Sequence, residues 1–168
     1  DAIIAVYPFT PQPVIAQAII SVSDVPVFVG VGGGITTGQR SVRLAVQAEH
    51  QGAYGVVLNA PVPNEVIRQI KQEVDIPVVA TVVSGHTDIR GRLEAGTDFL
   101  NVSGAAATPE IVAEIRRDFP SVPIIATGGP TEESIRRTIQ AGANAVTYTP
   151  PANGVLFAQL MTRYRQTC

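Results

Sequence analysis

Apolar runs opened by a proline alternate along this chain with apolar runs opened by a glycine of the kind that ends a helix. The proline type reads VPVFVGVGG (25–33), IPVVATVVSG (76–85) and VPIIATGG (122–129). The glycine type reads HQGAYGVVLNAP (50–61), EAGTDFLNVSG (94–104) and QAGANAVTYTPP (140–151). Successive members lie 51 and 46 residues apart in the first set and 44 and 46 in the second. A fixed period of this size marks a repeated supersecondary unit. Here the unit is strand-helix-strand-helix, a quarter of an eight-stranded barrel.

The opening run DAIIAVYPF fits the glycine type, with Asp1 where Asp98 and Asn144 stand in later copies. Seven strands are therefore expected, at roughly 2–7, 26–31, 54–59, 77–83, 98–103, 123–127 and 144–149. The first and last are both glycine-type, so strict alternation around eight strands calls for one proline-type strand and its helix ahead of residue 1. Such barrels usually run to about 250 residues and rarely fall below about 200, and 168 residues is short by about one unit. The expected fold is an α/β (β/α)8 TIM barrel, N-terminally incomplete, with strands two to eight present as seven parallel strands in a single domain over 1–168.

Composition agrees. The chain is 45% hydrophobic, and its strands are consecutive Val, Ile and Ala, as expected of a parallel sheet covered on both faces. A net charge of -2 and a single lysine, Lys71, leave no basic face for nucleic acid. The one cysteine, Cys168, excludes an internal disulfide and a multi-cysteine metal site. No stretch approaches the ~18 apolar residues of a membrane span, and the opening residues do not read as a signal peptide. A cytoplasmic protein without nucleic-acid or membrane partners is expected, and unpaired barrel edges would favour a homo-oligomer.

Thr108, Asn64 and Thr131, each just ahead of a first-turn acid, are expected N-caps. Gly52, Gly96 and Gly142 are expected to end helices in the left-handed conformation. In the fifth helix Ile111, Ile115 and Phe119 share one face, and Arg116, Arg117 and Asp118 are expected on a solvated outer face.

Function in a barrel of this kind lies on the loops after the strands. That face would hold Tyr7, Gly32, Gly33, Gly34, Asn59, Thr81, Ser84, His86, Asn101, Ser103, Thr127, Gly128, Gly129, Thr147 and Thr149. None is charged apart from any proton His86 carries. A Schiff-base aldolase needs a buried lysine, and Lys71 falls mid-helix. A metal-dependent site needs converging carboxylates, and none is expected here, so no metal is assigned. Strand alternation puts Asn59, Thr81, Asn101, Thr127 and Thr147 on one radial face. They form either a polar cap satisfied within itself or a neutral, hydrogen-bonding floor for a polar ligand.

ATGGPTEESI (126–135) carries the strongest chemical signal. Two glycines after a strand let backbone N–H groups approach an anion, and the following helix points its positive end at the same spot. Strands seven and eight are where barrels commonly hold phosphate. By contrast, the loop Gly30–Gly34 fails the dinucleotide pattern at Ile35 and lacks a P-loop ending. Its glycines allow either a ligand or a sharp turn to come close. His86 is the one imidazole near this face and could serve as general acid or base, with Asn59 and Asn101 beside the reacting atoms.

Residues 122–146, VPIIATGGPTEESIRRTIQAGANAV, resemble the closing βαβ segment of the phosphate-binding TIM-barrel enzymes. These include inosine-monophosphate dehydrogenases, N-acetylmannosamine-6-phosphate epimerases, thiamine-phosphate synthases and flavin-dependent nitronate monooxygenases. The resemblance implies that Gly128 and Gly129 hold the phosphate of a substrate or of FMN. It departs at Thr149 and Pro150, where the superfamily usually has Gly-Ser or Gly-Thr. Proline has no N–H to donate, and Asn153 and Gly154 are the substitutes. AVYPFTPQP, VGVGGGITTGQRS and VTYTPP further resemble bacterial barrel proteins filed as hydrolases. The implied function is an isomerase, epimerase or lyase acting on a phosphorylated metabolite. An FMN oxidoreductase and a non-catalytic phosphometabolite sensor are the alternatives.

Overall fold

A computed structural model describes residues 1–6, 11–149 and 152–167; Tyr7 and Pro150 lie outside the described residues. Seven strands run in chain order through one sheet, β1 (Ile3–Ala5), β2 (Val27–Gly32), β3 (Gly55–Leu58), β4 (Val78–Val82), β5 (Phe99–Val102), β6 (Ile124–Thr127) and β7 (Ala145–Thr147). Every pairing is parallel. Between them lie α1 (Pro13–Val22), α2 (Gln39–His50), α3 (Asn64–Glu73), α4 (Ile89–Glu94), α5 (Thr108–Asp118) and α6 (Glu132–Gln140), and α7 (Asn153–Thr167) follows β7. Each expected strand is present with its ends shifted by no more than two residues: most are shortened, while β2 runs one residue further, to Gly32.

Alternation along the strands separates two faces. The outer face, including Val29, Val56, Leu58, Val78 and Ala80, packs under α2 and α3 residues such as Val42, Ala45, Ile67 and Ile70. Leu100, Val102, Ile124 and Ala126 do the same beneath Ile111, Val112 and Ile115 of α5. On the inner face Phe28, Val57 and Val79 meet Ile4 and Phe99. The rings of Phe28 and Phe99 stand edge to face, 6.3 Å apart, although their strands are three places apart in the sheet. Flat strands at that remove would be about 14 Å apart, so the sheet curls into a half-barrel with apolar filling. β1 and β7 are its two edges.

Helix ends follow the glycine punctuation: Gly52, Gly96 and Gly142 have φ of +91°, +102° and +110°. Thr131 caps α6 as expected. Two other expected caps are corrected. Thr108 is already helical, and its buried hydroxyl accepts from the Gly104 N–H. Asn64 opens α3 and accepts from Arg92. A tertiary partner takes the Asn64 side chain, and the local turn at Gly104 takes that of Thr108. Arg116 is not on a solvated face either. Its guanidinium donates to the carbonyls of Pro120, Val122 and Gly142 and to Asn144 Oδ1, while Arg117 and Asp118 are exposed and paired with each other. No described helix is long and apolar enough to cross a membrane.

Candidate functional site

At the C-terminal ends of the strands the apolar inner layer gives way to polar groups. Directly above Val79 and Phe99 on their own strands, Thr81 and Asn101 are register partners across β4 and β5. Asn101 Nδ2 donates to Thr81 Oγ1 at 3.1 Å. Thr127 and Thr147 are register partners across β6 and β7. Thr81 is buried, and Asn59, Asn101, Thr127 and Thr147 are half-buried. Thr81 and Asn101 thus stand side by side and bond each other, and the positions of Thr127 and Thr147 stand side by side in register.

Gly32 and Gly33 explain themselves by close approach. A Cβ on Gly33 (φ +111°) would lie 2.0 Å from the Asn59 carbonyl oxygen, and one on Gly32 would lie 2.2 Å from Ser41 Oγ. Asn59 N–H donates to Gly32 O and Gly34 N–H to Pro61 O, so the β2–α2 loop lies across the end of β3. A Cβ on Gly34 would meet nothing within 4 Å. Arg92 braces the neighbouring β3–α3 loop by donating to Val62 O and Asn64 Oδ1. Burial pulls its guanidinium below the ordinary value, and the Asp88 charge partly offsets this.

On the expected phosphate side, Gly128 N–H is committed to Thr147 O at 3.0 Å. Gly129 has φ +78°, and its N–H has no protein partner among the described residues. Thr131 and Ser134 close a reciprocal capping box at the start of α6, with Glu132 and Glu133 in the first turn. Thr149 is exposed beyond β7. Asn153 and Gly154 do open a helix, α7, but both are exposed.

His86 occupies the turn between β4 and α4, where its backbone N–H donates to Ser84 Oγ. The side chain is exposed, and the imidazole has no hydrogen bond among the described residues. The helix beyond it is capped by Asp88, which accepts from Gly91 N–H. Ser103 follows β5 directly, donating its N–H to Val82 O. The structure thus gathers Gly32, Gly33 and Asn59 at one point, Thr81 and Asn101 at a second, and Thr127, Gly128 and Thr147 at a third; His86 stands apart. Sequence reasoning missed the bracing cluster of Asn64, Asp88 and Arg92, because a longer-range contact leaves no periodic signal.

No protein-family model matches the chain. Over 94 residues it is 26% identical to a thiamine-phosphate synthase of Geobacillus thermodenitrificans, a match that covers 49% of this chain and 42% of that enzyme. In fold it is similar to dihydrodipicolinate synthase from Aquifex aeolicus, with TM-score 0.68, 19% identity and coverage of 89% of this chain and 58% of that one. It is also similar to 2,3-dimethylmalate lyase, a member of the PEP mutase/isocitrate lyase superfamily, with TM-score 0.68, 17% identity and coverage of 92% and 64%. Phosphonopyruvate hydrolase follows with TM-score 0.67, 17% identity and coverage of 92% and 66%. These TIM-barrel neighbours support an α/β barrel fold.

Proposed function

We propose that this chain supplies strands two to eight of a phosphate-binding TIM barrel that acts on a small phosphorylated metabolite by isomerisation, epimerisation or lyase chemistry. The observation that carries the reading is the neutral tier of Asn59, Thr81, Asn101, Thr127 and Thr147 seated over an apolar floor beside Gly129. A tier of amides and hydroxyls orients a polar substrate without competing for its protons. Gly129 and the first turn of α6 supply N–H donors for the phosphate, with Thr149, Asn153 and Gly154 on its other side. Gly128, whose own N–H is taken, contributes close approach. Gly34, Ser84 and Ser103 line the rim. His86 acts as general acid or base after its exposed turn swings inward over Asn59 and Asn101.

A flavin reading draws on the same tier. Where FMN supplies the chemistry the protein need only bind and orient, and a neutral floor with one unpartnered N–H at Gly129 suits that task. Flavin absorbance in the purified protein decides for this reading, and a colourless protein decides against it.

The proposal is tested by titrating the protein with inorganic phosphate, watched by the Gly128 and Gly129 amide resonances. Gly129→Asp is expected to weaken binding by about ten-fold or more, because it sets a like charge against the anion. Unchanged binding moves the anion site to the Gly32–Gly34 loop. Binding without turnover of any phosphorylated metabolite makes the protein a sensor.

A further inference from the structure

We propose that the cleft between α1, α2 and the outer face of β2 binds a small neutral ring compound carrying a single hydrogen-bond donor. The site is additional to the one proposed above. None of Asn59, Thr81, Asn101, Thr127, Thr147 and Gly129 lines it.

Small side chains create the space. Where two helices cover one strand, leucine-sized residues normally interdigitate and leave few voids larger than a water molecule. Here Ala16 of α1 and Ala48 of α2 line the cleft together with Val29 and Val31 of β2, and about 220 Å³ is left between them. These four residues belong to the core of the outer layer, at 8%, 2%, 5% and 1% exposure. The floor is therefore interior, although the cleft is open at its mouth. Gln51 ties the helices together there by donating from Nε2 to Pro13 O at 3.4 Å. An unfilled space of this kind costs stability in proportion to its volume. Water fills it poorly, because aliphatic walls offer it no partners.

Size, charge and hydrogen bonding choose the occupant. An apolar cavity of about 150 Å³ holds benzene, so the larger cleft has room for two fused rings. No Asp, Glu, Lys, Arg or His is among the described residues that line it. An ionised group would enter without a counter-charge, which sets this ligand apart from the phosphorylated one proposed for the barrel mouth. The polar side chains of the lining are Gln12, Gln47 and Gln51. The bond to Pro13 O commits the Gln51 Nε2 and leaves its Oε1 to accept, with no donor on it among the described residues. A ring N–H or O–H supplies that donor while the rings lie on the aliphatic floor.

The test titrates the chain with indole and follows the backbone amide resonances. Saturable binding below about 1 mM is expected, with shifts centred on Ala16, Val29, Val31, Ala48 and Gln51. Indene keeps both rings but has no N–H, and is expected to bind about three- to ten-fold more weakly. Indole-3-carboxylate, which brings a charge, is expected to lose about ten-fold or more. Gln51→Leu should erase the preference for indole over indene. Ala48→Leu should abolish binding and raise the unfolding midpoint, because it fills a void; in a well-packed core the same enlargement lowers the midpoint. If Ala48→Leu fails to fold, Ala16→Leu makes the same test from the opposite wall, and the Gln51→Leu comparison stands by itself. The proposal is overturned by absence of saturable binding, by shifts centred on the polar tier, by indene binding as well as indole, or by binding that survives a filled cleft. Shifts of the cleft amides that grow with protein concentration alone also overturn it, since another copy of the chain would then be the occupant.

Discussion

Gly33 and Gly34 are neighbours with the same freedom and different reasons for it. At Gly33 both the backbone (φ +111°) and the space argue for glycine, since the Asn59 carbonyl fills the Cβ position; at Gly34 (φ +67°) only the backbone does. Gly33→Ala is therefore expected to cost roughly 3 kcal/mol or more, and Gly34→Ala about 1 kcal/mol, as read from urea midpoints. Equal costs would mean that the β2–α2 loop does not lie across β3 in solution. Thr81→Val keeps the shape of its side chain but strips Asn101 Nδ2 of its acceptor. A loss of about 1–3 kcal/mol in thermal unfolding is expected, and a change under about 0.5 kcal/mol would show that water already replaces the pair. At His86, Gln is expected to keep ligand affinity while turnover falls by about 10²- to 10⁴-fold. Turnover that survives makes His86 a loop residue. The polar tier was legible at this scale because strand alternation is a local rule. Arg116 was not, because a charged residue among other charges reads as solvated until the carbonyls of the α5–β6 loop and of the α6–β7 turn are known to converge on it.

Among the elements, the period recurs as contacts. Lys71 Nζ binds Asp98 Oδ2 at 2.7 Å, and that oxygen also accepts the Val78 N–H. About one repeat later Arg116 binds Asn144 Oδ1 at 2.7 Å, and that oxygen also accepts the Ile124 N–H. Gly96 and Gly142 lie against the Lys71 and Arg116 side chains at 2.7 and 2.9 Å from a built Cβ. Each buckle ties a helix to the start of the next strand pair, and the second is the richer in donors. Arg116→Leu is expected to cost about 2 kcal/mol, against less than about 1 kcal/mol for Lys71→Met, whose ion pair is a third exposed and screened. Comparable losses from the two would refute the ranking. At the α6 terminus the proposed phosphate meets two first-turn acids, Glu132 and Glu133. Removing both charges (E132Q with E133Q) is expected to tighten phosphate binding by about two- to five-fold at low salt, an effect that added salt erases. Proline and glycine punctuation made every strand legible to within a residue or two. The caps at Thr108 and Asn64 were not, since a side chain that suits a cap suits equally well the preceding turn, as at Thr108, or a distant arginine, as at Asn64.

For the molecule as a whole, the sequence's phase carried more than its composition. Alternation of two strand types implied both the number of strands and the identity of the edges, and the curled seven-stranded sheet has β1 and β7 at its borders. What phase could not convey is where α7 rests, because its apolar stripe has the period of a packed helix yet every described side chain on it is exposed. That contrast yields a whole-molecule prediction. Charging the stripe with L156E, L160E and M161E removes nothing that the seven-stranded body relies on, so its unfolding free energy is expected to stay within about 0.5 kcal/mol. Self-association and dye binding should fall as the apolar surface shrinks.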